Sequence, residues 1–261
     1  MKPSLCSVVI PVYNGAKYLQ KTLTSCLAQE VECEIILVED ASTDASLEIL
    51  YEYQRNYPEI IRIVQHEHNE GFVRGVMDGV ATAQGKYVSV LGQDDVMVKE
   101  RVSCLLQMMM ESGASMVCSN AFYLFGDQPS HQLVRPDWNT SGFIPRGAFL
   151  FQNPVVGSSV IFKKDAFKKI NFTNLTFRNS IEWYHWFNYA CMDGVYFLAE
   201  PLIYYRKHET NISHTLFQSG EYRRYKRFCR KYMLSKLHPC EIALAVRNKI
   251  LKIPPTIKNS L

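Results

Sequence analysis

The chain has 261 residues, enough for one large domain or one and a half, and its 47% hydrophobic and 21% charged content is that of a soluble globular protein. A net charge of +4 is too small to argue for a nucleic-acid partner, and no apolar stretch approaches the roughly 20 residues a membrane span needs. Eight cysteines without a Cys-x-x-Cys pair argue against a zinc site and suit free thiols in a reducing cytosol. Residues 1–4 pass straight into an apolar run, so no secretory leader is expected and the expected location is cytoplasmic.

The first 120 residues alternate strand and helix patterns. Strands are predicted over 5–12, 34–39, 60–66 and 86–91, and helices over 16–29, 44–57 and 71–84. Four strands joined by helical crossovers imply an α/β fold with a single doubly wound, mostly parallel sheet. A helix over 99–111 and a strand over 115–124 follow. Residues 126–146, polar and rich in Pro, Gly and Asn, read as one long loop. Short strands are predicted over 158–162, 195–198 and 202–206, and a helix over 180–192. Two tail helices, 221–236 and 239–252, end at Pro254-Pro255. The expected division is a domain over 1–215, in two halves, 1–120 and 121–215, and a basic helical tail over 216–261.

The chemistry-bearing residues gather at the ends of the predicted strands, where open α/β sheets place ligands. The carboxylate pair Asp94-Asp95 ends the fourth strand. Adjacent acids repel unless a cation or donor lies between them, and a divalent cation carrying a diphosphate would suit them. The plain alternative is that Asp95 caps a following helix. Tyr13 and Asn14 end the first strand, placed to stack on a base and hydrogen-bond a nucleoside, or simply to turn the chain. Asp40 is placed to accept from a base N–H, and Glu39 to take ribose hydroxyls; Asp44 reads as a helix cap. Gly71 opens the third helix, where Arg74 would meet a phosphate.

In order and spacing, Pro11-Val-Tyr-Asn14, Glu39-Asp-Ala-Ser-Thr-Asp44, Asn69-Glu-Gly71 and Gly92-Gln-Asp-Asp95 resemble the family 2 glycosyltransferases. The resemblance implies a nucleotide-diphospho-sugar fold and inversion at the anomeric carbon, with 1–215 as the catalytic domain, 1–120 as its nucleotide-binding half and 121–215 as its acceptor-binding, catalytic half. It implies that Asp40 binds the base, with Pro11 and Tyr13 lining its pocket. Asp94 would contact ribose or sugar, and Asp95 would bind Mn²⁺ or Mg²⁺. Gly92 departs from the pattern, which often has Asp there. Within Ser180-Ile-Glu-Trp-Tyr-His-Trp-Phe187, Glu182 falls at the family's catalytic base. Within Tyr204-Tyr-Arg-Lys-His208, Arg206 would pair with phosphate or a nearby acid, and His208 would ligate the metal or meet the leaving phosphate.

The resemblance therefore implies transfer of a hexosyl or N-acetylhexosaminyl group from a nucleotide-diphospho-sugar, UDP being the commonest donor nucleotide. The expected acceptor is a glycan or lipid-linked glycan in bacterial surface-polysaccharide or lipopolysaccharide assembly. The rivals are a non-catalytic sugar-nucleotide-binding module and a sugar-nucleotide pyrophosphorylase. The latter would need a glycine-rich basic loop where the chain has Tyr13-Asn-Gly-Ala-Lys17. On the tail helix, Tyr222, Tyr225, Phe228 and Tyr232 share one face and Arg223, Arg227, Arg230 and Lys231 lie mostly off it. Such a helix would touch the inner face of an anionic membrane or pack its aromatic stripe on the catalytic domain.

Overall fold

The computed structural model describes residues 5–171, 177–179, 182–209, 211 and 220–251. Residues 180 and 181 of the predicted base segment, residues 212 and 213, and the 254–255 prolines lie outside them. The first half forms as the alternation predicts: β1 (Cys6–Val12), α1 (Ala16–Leu27), β2 (Glu34–Glu39), α2 (Ser46–Asn56), β3 (Ile61–Gln65), α3 (Phe72–Thr82) and β4 (Tyr87–Val90). The β3-β2-β1-β4 block is parallel throughout. Strands β1, β2 and β4 are buried on both faces, hence their continuous apolar runs.

The core splits by strand alternation. Val8, Ile10, Ile35 and Leu37 pack on one face with Leu19 and Leu23 of α1, Leu50 of α2 and α4 (Arg101–Ser112). Val9, Ile36, Val38 and Val88 pack on the other with Val76 and Val80 of α3. Helices thus cover both faces, and one sheet carries the fold. Gly79 lets α3 settle against Val9 and Val38, where a Cβ would collide.

After β4 the topology turns mixed. The chain runs β5 (Val96–Met97), α4, β6 (Met116–Phe125), β7 (Gln128–Leu133), β8 (Gly142–Phe143), β9 (Val160–Lys163), α5 (Lys164–Lys168), α6 (Glu182–Cys191) and β10 (Val195–Lys207). The sheet order is β3-β2-β1-β4-β9-β6-β10-β5. Strand β9 lies antiparallel between β4 and β6, and β10 runs parallel to β6.

Three expectations change. The 126–146 segment is not a plain loop: Gly126, at φ 58°, turns β6 back into β7, and β8 pairs with β10. The two short strands around Pro201 are one strand whose register shifts on either side of that proline. A bulge absorbs the missing N–H, which the sequence reads as a break. Asp95 caps no helix, because Val96–Met97 pairs antiparallel with β10 and α4 begins only at Arg101.

The tail contributes α7 (Gly220–Leu234) and α8 (Pro239–Ile250). Tyr225, Cys229 and Met233 are buried in the same core face as α6, with Tyr222, Phe228 and Tyr232 packed beside them. The Tyr184 amide donates to Tyr225 Oη at 2.9 Å, and Tyr232 donates to Asn188 Oδ1 at 2.7 Å. The aromatic stripe therefore packs on the catalytic domain, and only the opposite, basic face of α7 is left outward.

Candidate active site

The carboxyl ends of β1, β2 and β4 carry the candidate residues, and hydrogen bonds draw them together. The Tyr13 amide donates to Gln93 Oε1 at 2.8 Å, and Gln93 Nε2 donates back to the Tyr13 carbonyl at 3.0 Å. This fixes the β1 end beside the Asp94-Asp95 segment and leaves the Tyr13 ring 45% exposed at the rim. Pro11 packs on α3, where a Cβ on Gly75 would stand 3.2 Å from its Cβ. Asn14, at φ 50°, accepts from the Thr43 amide at 2.8 Å and so ties the β1 turn to the β2 turn. Asp44 accepts from both the Ser46 and the Ala16 amides, at 2.9 and 3.1 Å, and so joins the starts of α1 and α2.

Glu39 does not face a ribose. It is buried, and its two oxygens accept from the Ala41 and Ser42 amides at 3.2 and 2.6 Å, supporting Ala41 at φ 58°. Asp40 is nearly buried. Its Oδ1 accepts from the Glu70 amide at 2.7 Å and lies 2.8 Å from His66 Nδ1; its Oδ2 accepts from the Gly71 amide at 2.8 Å. A carboxylate offers about four lone pairs, so one direction, on Oδ2, is left. Gly71 adopts φ 92°, and the Arg178 side chain lies over it, its guanidinium on the Asn69 carbonyl and Oδ1. Arg74 is turned to Asp78 at 2.7 Å on an exposed flank.

The two acids of the β4 end differ sharply. Asp95 is buried, and its Oδ1 accepts from the Arg206 amide at 2.8 Å. Burial, then the neighbouring Asp94, push its pKa well above the usual carboxylate range; the Ser158 hydroxyl and the Arg206 amide act the other way. Asp94 Oδ2 lies 2.6 Å from His208 Nε2 and accepts from Asn211 Nδ2 at 3.0 Å. His208 therefore engages Asp94 rather than a place beside Asp95. Arg206 is fully buried and cannot reach a diphosphate. Its Nε donates to the Asp94 carbonyl at 2.7 Å, Nη1 donates to Asp127 Oδ1 at 3.1 Å, and its guanidinium lies over the Tyr18 ring at 4.4 Å.

Gly92 supplies the space between the acids. A Cβ there would lie 2.9 Å from Asp94 Oδ1, 2.9 Å from Asp95 Oδ2 and 3.1 Å from Ser158 Oγ. Two carboxylate oxygens and a hydroxyl oxygen thus converge on a gap that any side chain would fill, a donor set that fits Mg²⁺ or Mn²⁺. No group of three or more His, Cys, Asp or Glu side chains suited to a metal occurs among the described residues.

Glu182 comes from the second half to the segment that carries Ser158. It opens α6, and its carboxylate lies against Gly157, where a Cβ would collide with it. The next residue, Ser158, accepts from the Gly92 amide at 3.0 Å. Burial pushes the Glu182 pKa up to about 7. The helix N-terminus alone would favour the charged form, so desolvation outweighs the dipole here. Trp183 and Trp186 are core residues; Trp183 Nε1 donates to the Phe149 carbonyl at 2.8 Å.

Gln93, Ser158, Asn211 and Arg101 carry no sequence signal of a role, yet they frame the site. Arg101 is fully buried, donating from Nη2 to Ser89 Oγ at 2.9 Å and to the Ser158 carbonyl at 2.8 Å; burial lowers its pKa to about 10. It fixes Ser158 from below.

Comparison with known proteins shows the family and the fold. The chain is 27% identical over 236 residues to Glycosyltransferase GlyG of Streptococcus pneumoniae, covering 82% of this chain and 74% of GlyG. It is 37% identical over 108 residues to Bacillus subtilis TuaG, provisionally named a teichuronic acid biosynthesis glycosyltransferase, covering 41% of this chain and 42% of TuaG. Residues 1–349 of Staphylococcus aureus TarS, solved with UDP-GlcNAc, superpose with TM-score 0.63 at 18% identity, covering 95% of this chain and 81% of that one. The chain spans 38% of the longer TarS structure. The profile of Glycosyl transferase family 2 matches residues 7–170, and the chain belongs to that family.

Proposed function

We propose that this glycosyltransferase inverts the anomeric carbon while moving a hexosyl or N-acetylhexosaminyl group from a UDP-sugar to a hydroxyl of a glycan or lipid-linked glycan, in bacterial surface-polysaccharide assembly. One observation carries the reading: Glu182, with its pKa near 7, lies against Gly157, whose neighbour Ser158 borders the Asp94–Asp95 gap. A proton acceptor poised near neutrality thus touches the residue next to the one that borders the two acids. TarS, the structure solved with UDP-GlcNAc, supports the choice of donor, and TuaG supports the class of pathway.

In this reading Asp40 accepts the base N–H on the free direction of Oδ2, and Tyr13 covers the base from the rim. Asp94 Oδ1 and Asp95 Oδ2 would hold the divalent cation, which when bound offsets negative charge on a diphosphate. Glu182 takes the proton of the acceptor hydroxyl through a carboxylate oxygen. His208, backed by Asn211, holds Asp94 in place. Turnover of UDP-GlcNAc with Mn²⁺, hydrolysis included, tests the reading; tight UDP binding with no turnover of any UDP-sugar would favour a binding module instead.

Asp40→Ala is expected to weaken UDP binding by about 1–3 kcal/mol, the scale of a hydrogen bond to a charged group. Calorimetry checks this, and equal affinity in variant and wild type removes the base-binding role. The tail bears on the acceptor. Arg223, Arg224, Arg227 and Lys231 face outward on α7, Leu244 and Ile250 are exposed on α8, and Leu251 is exposed at its C-cap. No described helix is long and apolar enough to cross a membrane. Co-sedimentation with anionic vesicles should occur at low salt and fall steeply by about 0.5 M salt, while neutral vesicles leave the protein in solution.

A further inference from the structure

His66 follows β3, and its amide donates to the Glu39 carbonyl at 2.9 Å, so the ring stands on the sheet beside the β2 end. Its side chain is 9% exposed and lies between two acids: Nδ1 is 2.8 Å from Asp40 Oδ1, and Nε2 is 3.2 Å from Asp78 Oδ2 on α3. Turning the ring over would set carbon against both oxygens, so the network fixes which nitrogen faces which acid. Asp40 is the deeper acid, with 6% of its side chain exposed against 26% for Asp78, and Asp78 also has Arg74 Nε at 2.7 Å. A bare ring nitrogen facing the buried acid would cost more than one facing the acid that already has a partner. Nδ1 therefore carries a proton and donates to Asp40. His66 and the Glu70 amide then fill both lone pairs of Oδ1, and the Gly71 amide takes one of Oδ2. Glu70 and Gly71 sit on the loop that enters α3, whereas His66 ties the carboxylate to a strand end.

We infer that His66 is a positioning residue for the donor's base: through Nδ1 it aims the open lone pair of Asp40 Oδ2, and so makes the site select a base with a ring N–H. The inference rests on the reading of Asp40 as the acceptor of that N–H. Asp78, held by Arg74, braces the ring from α3. Uracil carries a proton on N3 and cytosine does not, so the aimed carboxylate accepts from the first and meets a lone pair on the second.

Calorimetry on the full chain with UDP and with CDP, each with Mn²⁺, tests it in wild type, Asp40→Ala and three His66 variants. Wild type is expected to bind UDP at least about tenfold more tightly than CDP. Asp40→Ala, His66→Ala and His66→Gln should each cut that preference to about threefold or less. His66→Asn should keep it at about tenfold, because asparagine Nδ2 takes the place of Nδ1, whereas glutamine Nε2 takes the place of the nitrogen that faces Asp78. A packing role gives the reverse order, since glutamine is closer to histidine in size. The preference is a ratio of two affinities of one protein, so a smaller folded fraction leaves it unmoved. A preference lost in Asp40→Ala but kept in His66→Ala and His66→Gln overturns the role of His66 alone. So does a loss in His66→Asn as large as in His66→Gln. A wild type without the preference, or a preference kept in Asp40→Ala, removes the base-binding reading and this inference with it.

Discussion

Glu182→Gln is expected to retain UDP binding and to lose transfer by at least about 100-fold, the lower end of what a general base contributes. Glutamine keeps the size of the side chain and can donate to or accept from the acceptor hydroxyl, but it cannot remove its proton. The same variant should be more stable than wild type above neutrality. A folded pKa of about 7 exceeds the unfolded value of about 4.3. The folded state therefore holds the proton more tightly, and the stabilisation from it is complete below the unfolded value and lost as pH rises through the folded one. Glutamine is neutral throughout. Its advantage over wild type should reach up to about 3 kcal/mol near pH 8 and vanish near pH 4. Transfer by wild type should rise with pH through about 7. A glutamate on an open helix end would give neither the stability crossover nor the lost turnover. Urea unfolding at the two pH values, beside a transfer assay, decides; near wild-type transfer would bring forward Asp193 or Asp137 as the base.

Asp95→Asn is expected to cost at least about 100-fold in Mn²⁺-dependent UDP affinity, since even partners outside the ligand shell cost about 10–100-fold. The fold should survive. Asparagine Oδ1 can still accept from the Arg206 amide, and the buried charge that repels Asp94 is gone. Without metal, the variant should melt no lower than wild type at neutral pH. Calorimetry of UDP with and without Mn²⁺ measures the first effect and thermal unfolding the second. Unchanged UDP affinity in the presence of Mn²⁺ would remove Asp95 as a metal ligand.

The first half was legible because β1, β2 and β4 are buried on both faces and its turns carry Gly, Pro, Asn and Asp at fixed offsets. The β2 strand formed over Glu34–Glu39, as predicted. The direction of a polar side chain was not legible. Glu39 and Asp40 are adjacent acids at one strand end; alternation sends them opposite ways, and Glu39 spends both oxygens on its own turn. Arg206 read as a partner of phosphate or of a nearby acid; β10 carries it beneath Asp94, and it pairs with the acid Asp127. Ser158 and Gln93 were invisible because their roles depend on partners 66 and 80 residues away. The tail could not be decided from its helical pattern, since an aromatic stripe suits a lipid surface and a protein core equally; the fit to α6 decides it.

The late arrival of β10 has a consequence for biosynthesis. Asp95 meets the Arg206 amide across 111 positions, and Asp94 meets His208 across 114. A chain emerging at about 5–20 residues per second exposes the acids some 6–20 s before their braces exist. The parallel β3-β2-β1-β4 block is complete by then. The bracing of the two acids is therefore deferred until β10 has emerged, and a nascent chain that stalls before β10 carries Asp94 and Asp95 without the groups that orient them.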